Sequence, residues 1–197
     1  MWITWKHEHT KLVAESQIAE KIEVFQHRVW GWQLHIADLV INGGKSHDGT
    51  KNFEEIPHAG FATLHILLSY FEMIARYETG NIGKDQSREV FIEGVQSVFP
   101  QVKEFPYAPT RKFLNLLYGD VRCGLYHMSV PGSGVAIGKT GVAIQYANNP
   151  PQILIDPHEL ARALKNHFEH YTNTLKDPNQ TDLRKAFERR FDCDNKQ

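Results

Sequence analysis

Apolar residues recur at alternating steps of four and three through most of this 197-residue sequence. This spacing places them on one face of an α-helix, so the chain is predicted to be mainly helical. The longest run predicts a helix from His9 to about Ile41 that stops at Asn42-Gly43-Gly44, with the apolar stripe Ile18, Ile22, Phe25, Val29, Trp32, Ile36 and Leu39. Such a helix would be roughly 45 to 50 Å long. Because one small domain does not cover that length, we expect part of the stripe, with Trp30 added, to be buried between two copies of the chain.

The same spacing predicts further helices. They run from about His58 to Tyr77, Asp85 to Phe99, Thr110 to Met128 and Thr181 to Phe191, and one more begins at Asp156-Pro157 and ends at Asp177-Pro178. Asp156 is predicted to cap that helix, with Pro157 in its first position and Glu159 reaching back to the cap residue. The helix after His58 has the inward face Phe61, Leu64, Leu68, Phe71 and Ala75, and Gly80 follows it where helices commonly stop. Beside that face lies a polar seam whose residues are four, three and four positions apart: His65, Ser69, Glu72 and Arg76. The helix that ends at Met128 has the face Leu114, Leu117, Val121, Leu125 and Met128.

Between Val135 and Ile155 the period changes to that of strands. GVAIGKTGVAIQY predicts two short strands joined by a turn at Gly138 to Gly141, and QILID predicts a third. The GKT string is similar to the end of a phosphate-binding P-loop, but Ser133 stands where the P-loop has its first glycine. We therefore predict a single domain over residues 1–197, a bundle of five to six helices with a small β-hairpin insertion.

Composition agrees with a folded globular protein, since 41% of the residues are hydrophobic. The 22 Lys and Arg residues nearly cancel the 23 Asp and Glu residues, so no overall positive field draws the chain to nucleic acid or to an anionic membrane. Cys123 and Cys193 form no C-x-x-C pair, and the charged start MWITWKHEHTK lacks the apolar region of a signal peptide. No run of about 18 apolar residues occurs. We expect a cytoplasmic protein with no membrane segment.

Eleven histidines raise the question of a metal site. His7-x-His9 and His167-x-x-His170 have spacings that can chelate a metal, but neither comes with a carboxylate or cysteine pattern such as H-E-x-x-H. We therefore expect no metal and no cofactor, and we interpret these histidines as solvated or hydrogen-bonded side chains.

The string FLNLLYGDVRCGLYHMSV carries the arrangement R-x-x-x-x-H through Arg122 and His127. It lies in a late helix, and an earlier helix carries the carboxylate of Glu72 within LLSYFEMIARYETG. In motif and helix order, over about Thr10 to Tyr171, the chain resembles the HEPN superfamily of small helical domains. The resemblance implies a metal-independent endoribonuclease, a symmetric homodimer, and Arg122 and His127 as the catalytic pair. Many active members have Asn, Asp or His directly after the arginine, where this chain has Cys123.

Histidine and arginine suit the cleavage of RNA without a metal. The reaction needs a base for the 2′-hydroxyl, an acid for the departing 5′-oxygen, and positive charge at the phosphorane. Imidazole can act as base or acid near neutral pH, and guanidinium stays charged and binds two phosphate oxygens. Five residues of α-helix turn about 500°, so Arg122 and His127 would point about 140° apart and lie about 7.5 Å apart along the axis. A two-fold dimer through the first and fourth helices would bring both residues of both chains to one groove.

Other pairings of the motif residues are open. Asp120, Cys123 and His127 lie near one helical face, so Asp120 could orient His127. Alternatively, Arg122 pairs with Glu72 or Asp120 at the edge of the core. In that case His127 only caps the end of its helix, where the helix dipole favours a positive charge.

The remaining candidates have supporting roles. Glu72 either pairs with Arg76, one turn away, or lines the same groove as the motif, and Tyr126 lies within the motif itself. The terminal helix carries four basic residues that form either a solvated face or a contact for a phosphate backbone: Arg184, Lys185, Arg189 and Arg190.

The leading functional prediction is a HEPN-type endoribonuclease in a toxin-like or defence-like role. Its substrate would be RNA, and an antitoxin or another protein is a candidate partner. The alternative is a catalytically inactive HEPN-like dimeric module that binds a protein or nucleotide partner. Cys123 and the neutral net charge favour the inactive module, and the conjunction of Arg122 and His127 favours the enzyme.

Overall fold

The computed structural model describes residues 16–83, 85–104 and 107–195. The chain is mainly helical with short strands, as predicted. The helices are α1 (Ile18–Val29), α2 (His35–Asn42), α3 (Gly60–Thr79), α4 (Ser87–Val98), α5 (Tyr107–Leu116), α6 (Gly124–Met128), α7 (Pro157–Lys176) and α8 (Thr181–Asn195). Two π-helical segments, Trp30–Leu34 and Leu117–Cys123, join α1 to α2 and α5 to α6, and Pro100–Glu104 is a 3₁₀ turn. With the joined helices counted as one, the described residues contain six helical stretches, which agrees with the expected five to six.

The first helix contains a π segment that the sequence did not predict. A π-helical hydrogen bond spans five residues, so the segment adds one residue to the helical repeat. The buried face runs through Ile22, Phe25, Val29, Leu34, Ala37 and Ile41, with one step of five. Trp32 and Ile36, predicted to continue the stripe, are instead 53% and 39% exposed because they fall outside the shifted face. The predicted start at His9 lies outside the described residues.

Helix α3 lies at the centre of the bundle and contacts α2, α4, α7 and α8. Four of its five predicted inward residues are buried, namely Leu64, Leu68, Phe71 and Ala75, whereas Phe61 in the first turn is 43% exposed. Gly80 ends the helix as predicted, in the left-handed conformation with φ 67°. Gly94 lets α4 approach closely, since a Cβ at this position would lie 1.9 Å from the carbonyl oxygen of Phe71.

The helix that carries the motif is α5, its π segment and α6. Four of the five residues on its predicted face are buried: Leu114, Leu117, Val121 and Leu125. Met128 is 72% exposed, because α6 ends there and Ser129 turns the chain with φ 61°. The motif is therefore anchored by a short helix in which Leu125 is the buried side chain.

The strand region forms a sheet with a different pairing from the one predicted. Its strands are β3 (Val135–Ile137), β4 (Ile144–Asn148) and β5 (Pro151–Ile155), in the order β3-β5-β4. The hairpin is β4–β5, and β3 runs parallel to β5. The segment from Gly138 to Gly141 is therefore a connection between strands on either side of β5, and the prediction of a hairpin turn there was wrong. A second, very small hairpin pairs β1 (Gly44–Lys45) with β2 (Asn52–Phe53).

Asp156 joins this sheet to α7. As predicted, its carboxylate caps the helix by accepting hydrogen bonds from the backbone N–H of His158 at 3.0 Å and of Glu159 at 3.3 Å. The predicted return contact of Glu159 is absent, because the N–H of Asp156 donates to the carbonyl of Ala143 and Glu159 pairs with Arg162. In the described chain, no helix has the length and apolar character needed to cross a membrane.

Candidate functional site

Helix α3 and the second π segment bring Glu72 and Arg122 together. Nε and Nη2 of Arg122 donate to the same carboxylate oxygen of Glu72, at 2.9 and 2.7 Å. The two side chains are only 24% and 18% exposed. Of the alternatives for Arg122, the pairing with Glu72 is the one observed. The predicted pairing of Glu72 with Arg76 was wrong, because Arg76 donates instead to the backbone carbonyl of Gly83.

Aromatic rings and a thiol surround the Arg122 guanidinium. It lies 5.7 Å from the ring centre of Tyr118 and 5.1 Å from that of Tyr126, both within cation–π range. Burial alone would lower the pKa of Arg122, but the charge and hydrogen bond of Glu72 outweigh it and raise the pKa. Burial, with Cys123 beside the hydroxyl, raises the pKa of Tyr118. Arg122 is therefore a permanently charged and fixed group, and Cys123 is its neighbour.

A cavity of about 160 Å³ opens beside this pair. The side chains that line it come from α3, the π segment and α6: His65, Leu68, Ser69, Glu72, Arg122, Leu125 and Tyr126. Three of the four residues in the predicted polar seam of α3 are in this set. Gln33 holds the cavity wall from the first helix by donating to Ser69 Oγ at 2.8 Å and to the carbonyl of Ile66 at 3.1 Å.

His65 is the cavity residue to which the sequence assigned no role. Its Nδ1 lies 2.9 Å from the carbonyl oxygen of Phe61, one turn earlier in α3. Its Nε2 lies 2.7 Å from the carbonyl oxygen of Leu125 in α6. The sequence placed His65 in the seam with Glu72, but a bond to the backbone of a residue sixty positions away leaves no pattern that could reveal it.

His127 and Asp120 lie apart from the cavity. His127 is exposed in the last turn of α6, and its ring meets that of Tyr126 edge-on at 5.2 Å. Asp120 packs against the turn after α6, since its backbone carbonyl accepts from the N–H of Gly132 at 2.8 Å and its side chain lies close to the same glycine. Among the described side chains, no hydrogen bond or ion pair joins Asp120 to His127.

A second polar cluster lies at the other end of α3, in a cleft of about 750 Å³ between α4 and α7. His167 contacts Tyr70 at 2.9 Å and Ser97 at 3.1 Å, and Ser97 donates to Glu78 at 2.7 Å. Burial, together with nearby His170, lowers the pKa of His167 to about 4. This histidine therefore stays neutral at physiological pH. In the described part of the chain, no group of three or more His, Cys, Asp or Glu side chains could hold a metal ion, and His7 and His9 fall outside it.

The site around Arg122 combines groups that suit the chemistry of phosphate esters. It offers a fixed guanidinium, a carboxylate that orients it, an exposed histidine five residues away and an exposed tyrosine between them. In comparisons with known proteins, the chain matches no family model, no curated protein and no solved structure.

Proposed function

We propose that this protein is a metal-independent endoribonuclease of HEPN type, with Arg122 and His127 as its catalytic pair. The observation that supports this proposal is the fixed orientation of Arg122 at the rim of an open cavity, held by two hydrogen bonds to Glu72. In this role the guanidinium neutralises the charge that develops on the phosphorane. His127 is exposed to solvent and is free to exchange a proton with the 2′-hydroxyl or the departing 5′-oxygen.

A homodimer would complete such a site. His127 lies outside the Arg122 cavity of its own chain, so an RNA phosphate bound at Arg122 needs a histidine from elsewhere. A two-fold axis near α6 would bring His127 of one copy towards Arg122 of the other. The exposed apolar side chains on α6 and on the first helix support this arrangement, since a second copy would cover them: Tyr126, Met128, Trp32 and Ile36.

RNA cleavage in EDTA tests the proposal. We expect the purified protein to cut single-stranded RNA with EDTA present and to leave 2′,3′-cyclic phosphate ends. Arg122→Ala and His127→Ala should each slow cleavage by at least about 10²-fold, the usual contribution of a group that transfers a proton or stabilises charge. Arg111→Ala on α5 and His170→Ala on α7, both at exposed positions, are matched controls that should leave the rate unchanged. Failure of the parent protein to cut any RNA would reject the proposal.

The second candidate is a catalytically inactive dimeric module that binds a protein or nucleotide partner. The ion pair favours it, because Glu72 already occupies Nε and Nη2 of Arg122 and a substrate phosphate would have to use what remains of the guanidinium. In an inactive module, Glu72→Gln lowers stability and changes no rate. In the enzyme, the same substitution also lowers the cleavage rate, because Arg122 loses the carboxylate that fixes its orientation.

A further inference from the structure

Helix α6 depends on few interactions of its own. It has five residues, follows directly on a π segment, and exposes Tyr126, His127 and Met128. Isolated helices of this length are not stable in water, so contacts with the rest of the fold must fix its position. Leu125 supplies one such contact through its side chain, which is 1% exposed.

His65 supplies a second contact, directed at the backbone of α6. The carbonyl oxygen of Leu125 accepts from the N–H of Ser129 at 3.0 Å and also lies 2.7 Å from Nε2 of His65. A carbonyl oxygen has two lone pairs and can accept both bonds. Leu125 stands between Arg122 and His127, so this bond ties the middle of the motif to α3.

Both anchors of the motif are on the same helix. Glu72 holds Arg122, and His65, seven residues earlier on α3, holds Leu125. Seven residues are about two turns of α-helix, which places both anchors on one face of α3. Together they fix where Arg122 lies and how α6 is turned.

We infer that His65 is a positioning residue that orients His127 by holding the Leu125 carbonyl. This inference rests on the proposed ribonuclease function for its catalytic consequence, while the anchoring of α6 itself can be measured separately. Loss of the anchor lets α6 shift relative to Arg122. A misplacement of about 1 Å at a reacting group can cost about 10²-fold in rate.

Two amide substitutions separate the contacts of the His65 ring. A Gln side chain places its NH₂ close to the position of histidine Nε2, and an Asn side chain places its NH₂ close to that of Nδ1. His65→Gln therefore keeps a donor for the carbonyl of Leu125, whereas His65→Asn keeps one only for the carbonyl of Phe61. Both variants lose the imidazole, and each keeps a donor for one of its two contacts: Leu125 in α6 for His65→Gln and Phe61 in α3 for His65→Asn.

Steady-state cleavage of a single-stranded RNA oligonucleotide gives the first test. We expect His65→Asn to lower kcat by about 10²-fold with KM changed by less than about threefold, because the reacting groups are misaligned while the substrate still binds. His65→Gln should restore kcat to within about fivefold of the parent value. Equal kcat values for the two variants would overturn the inference and leave the ribonuclease proposal standing.

Amide hydrogen exchange of the peptide covering residues 124–130 gives a test that needs no activity. Exchange in this peptide should be faster in His65→Asn than in the parent and unchanged in His65→Gln. A parent protein that does not cleave RNA but shows this difference would refute the ribonuclease and retain His65 as the anchor of α6. Equal exchange in all three proteins would overturn the inference whatever the activity.

Discussion

Asp156 shows how one side chain can organise several elements. Asp156 is 3% exposed, and its carboxylate accepts hydrogen bonds from four backbone N–H groups, two from the loop before β4 (Thr140 and Gly141) and two from the first turn of α7 (His158 and Glu159). Burial opposes the charge and would raise the pKa of Asp156, but the four N–H groups outweigh it and lower the pKa. The loop with the GKT string, which is similar to the end of a P-loop, thus binds the carboxylate of Asp156 in the same chain.

Asp156→Asn should therefore destabilise the protein by about 2 kcal/mol at pH 7, because an amide presents an NH₂ to some of the same N–H donors. Since the folded-state pKa is lowered, the stabilisation is full above the unfolded pKa of about 4 and is lost as the pH falls towards the folded value. Urea unfolding at several pH values should show the difference between parent and variant shrinking below about pH 4. Asp85→Asn, at an exposed position, is the control. An Asp156→Asn unfolding curve that overlays the parent curve at pH 7 would show that the Asp156 carboxylate does not stabilise the fold.

Among individual residues, the sequence predicted the helix caps and, in the candidate site, Glu72 and Arg122 but not His65. Asp156 and Gly80 were recognisable because capping residues occupy fixed positions relative to helix ends. Glu72 was recognisable as a carboxylate in the seam, with Arg122 as one of two proposed partners. His65 was not, because its bond to Leu125 runs to a backbone carbonyl, which every residue has.

Among the secondary-structure elements, the helices could be predicted from the apolar spacing, but their π segments could not. A stripe read with a uniform period of 3.6 residues placed Trp32 and Ile36 on the same face as Val29, whereas the extra residue in Trp30–Leu34 brings Leu34 and Ala37 to that face. The strand pairing also could not be predicted from the sequence. The GKTG turn chemistry suggested a hairpin, and only the position of β5 between β3 and β4 decides otherwise.

Two helical glycines should respond oppositely to alanine. At Gly119, in the second π segment, a Cβ would meet no atom within 4 Å, so Gly119→Ala should raise stability by about 0.5 to 1 kcal/mol through helix propensity. At Gly94 a Cβ would collide with the backbone of Phe71, so Gly94→Ala should lower stability by about 3 kcal/mol, near the upper end of overpacking costs. Thermal unfolding of the two variants checks this. A Gly94→Ala variant at least as stable as the parent would show that the α3–α4 approach does not limit Gly94, and a destabilised Gly119→Ala would contradict the expectation for Gly119.

For the whole molecule, we predict a homodimer that covers the exposed face of the first helix. Light scattering at micromolar concentration should give twice the mass of one 22.7-kDa chain. Trp32→Glu combined with Ile36→Glu should shift the protein to monomer, because it buries two charges in the expected interface. Ile82→Glu, at a side chain 44% exposed elsewhere, should leave the dimer intact. A parent protein that scatters as a single chain would rule out this assembly.

A double-mutant comparison of RNA cleavage in EDTA tests whether Arg122 and His127 act together. If Arg122 and His127 act on one phosphate, Arg122→Ala and His127→Ala should each remove most of the activity. The double variant should then be little worse than either, because parts of one catalytic unit are strongly non-additive. Melting temperatures of the same three variants separate lost activity from lost folding. Unaltered cleavage by His127→Ala, or losses that multiply in the double variant, would contradict a shared catalytic site.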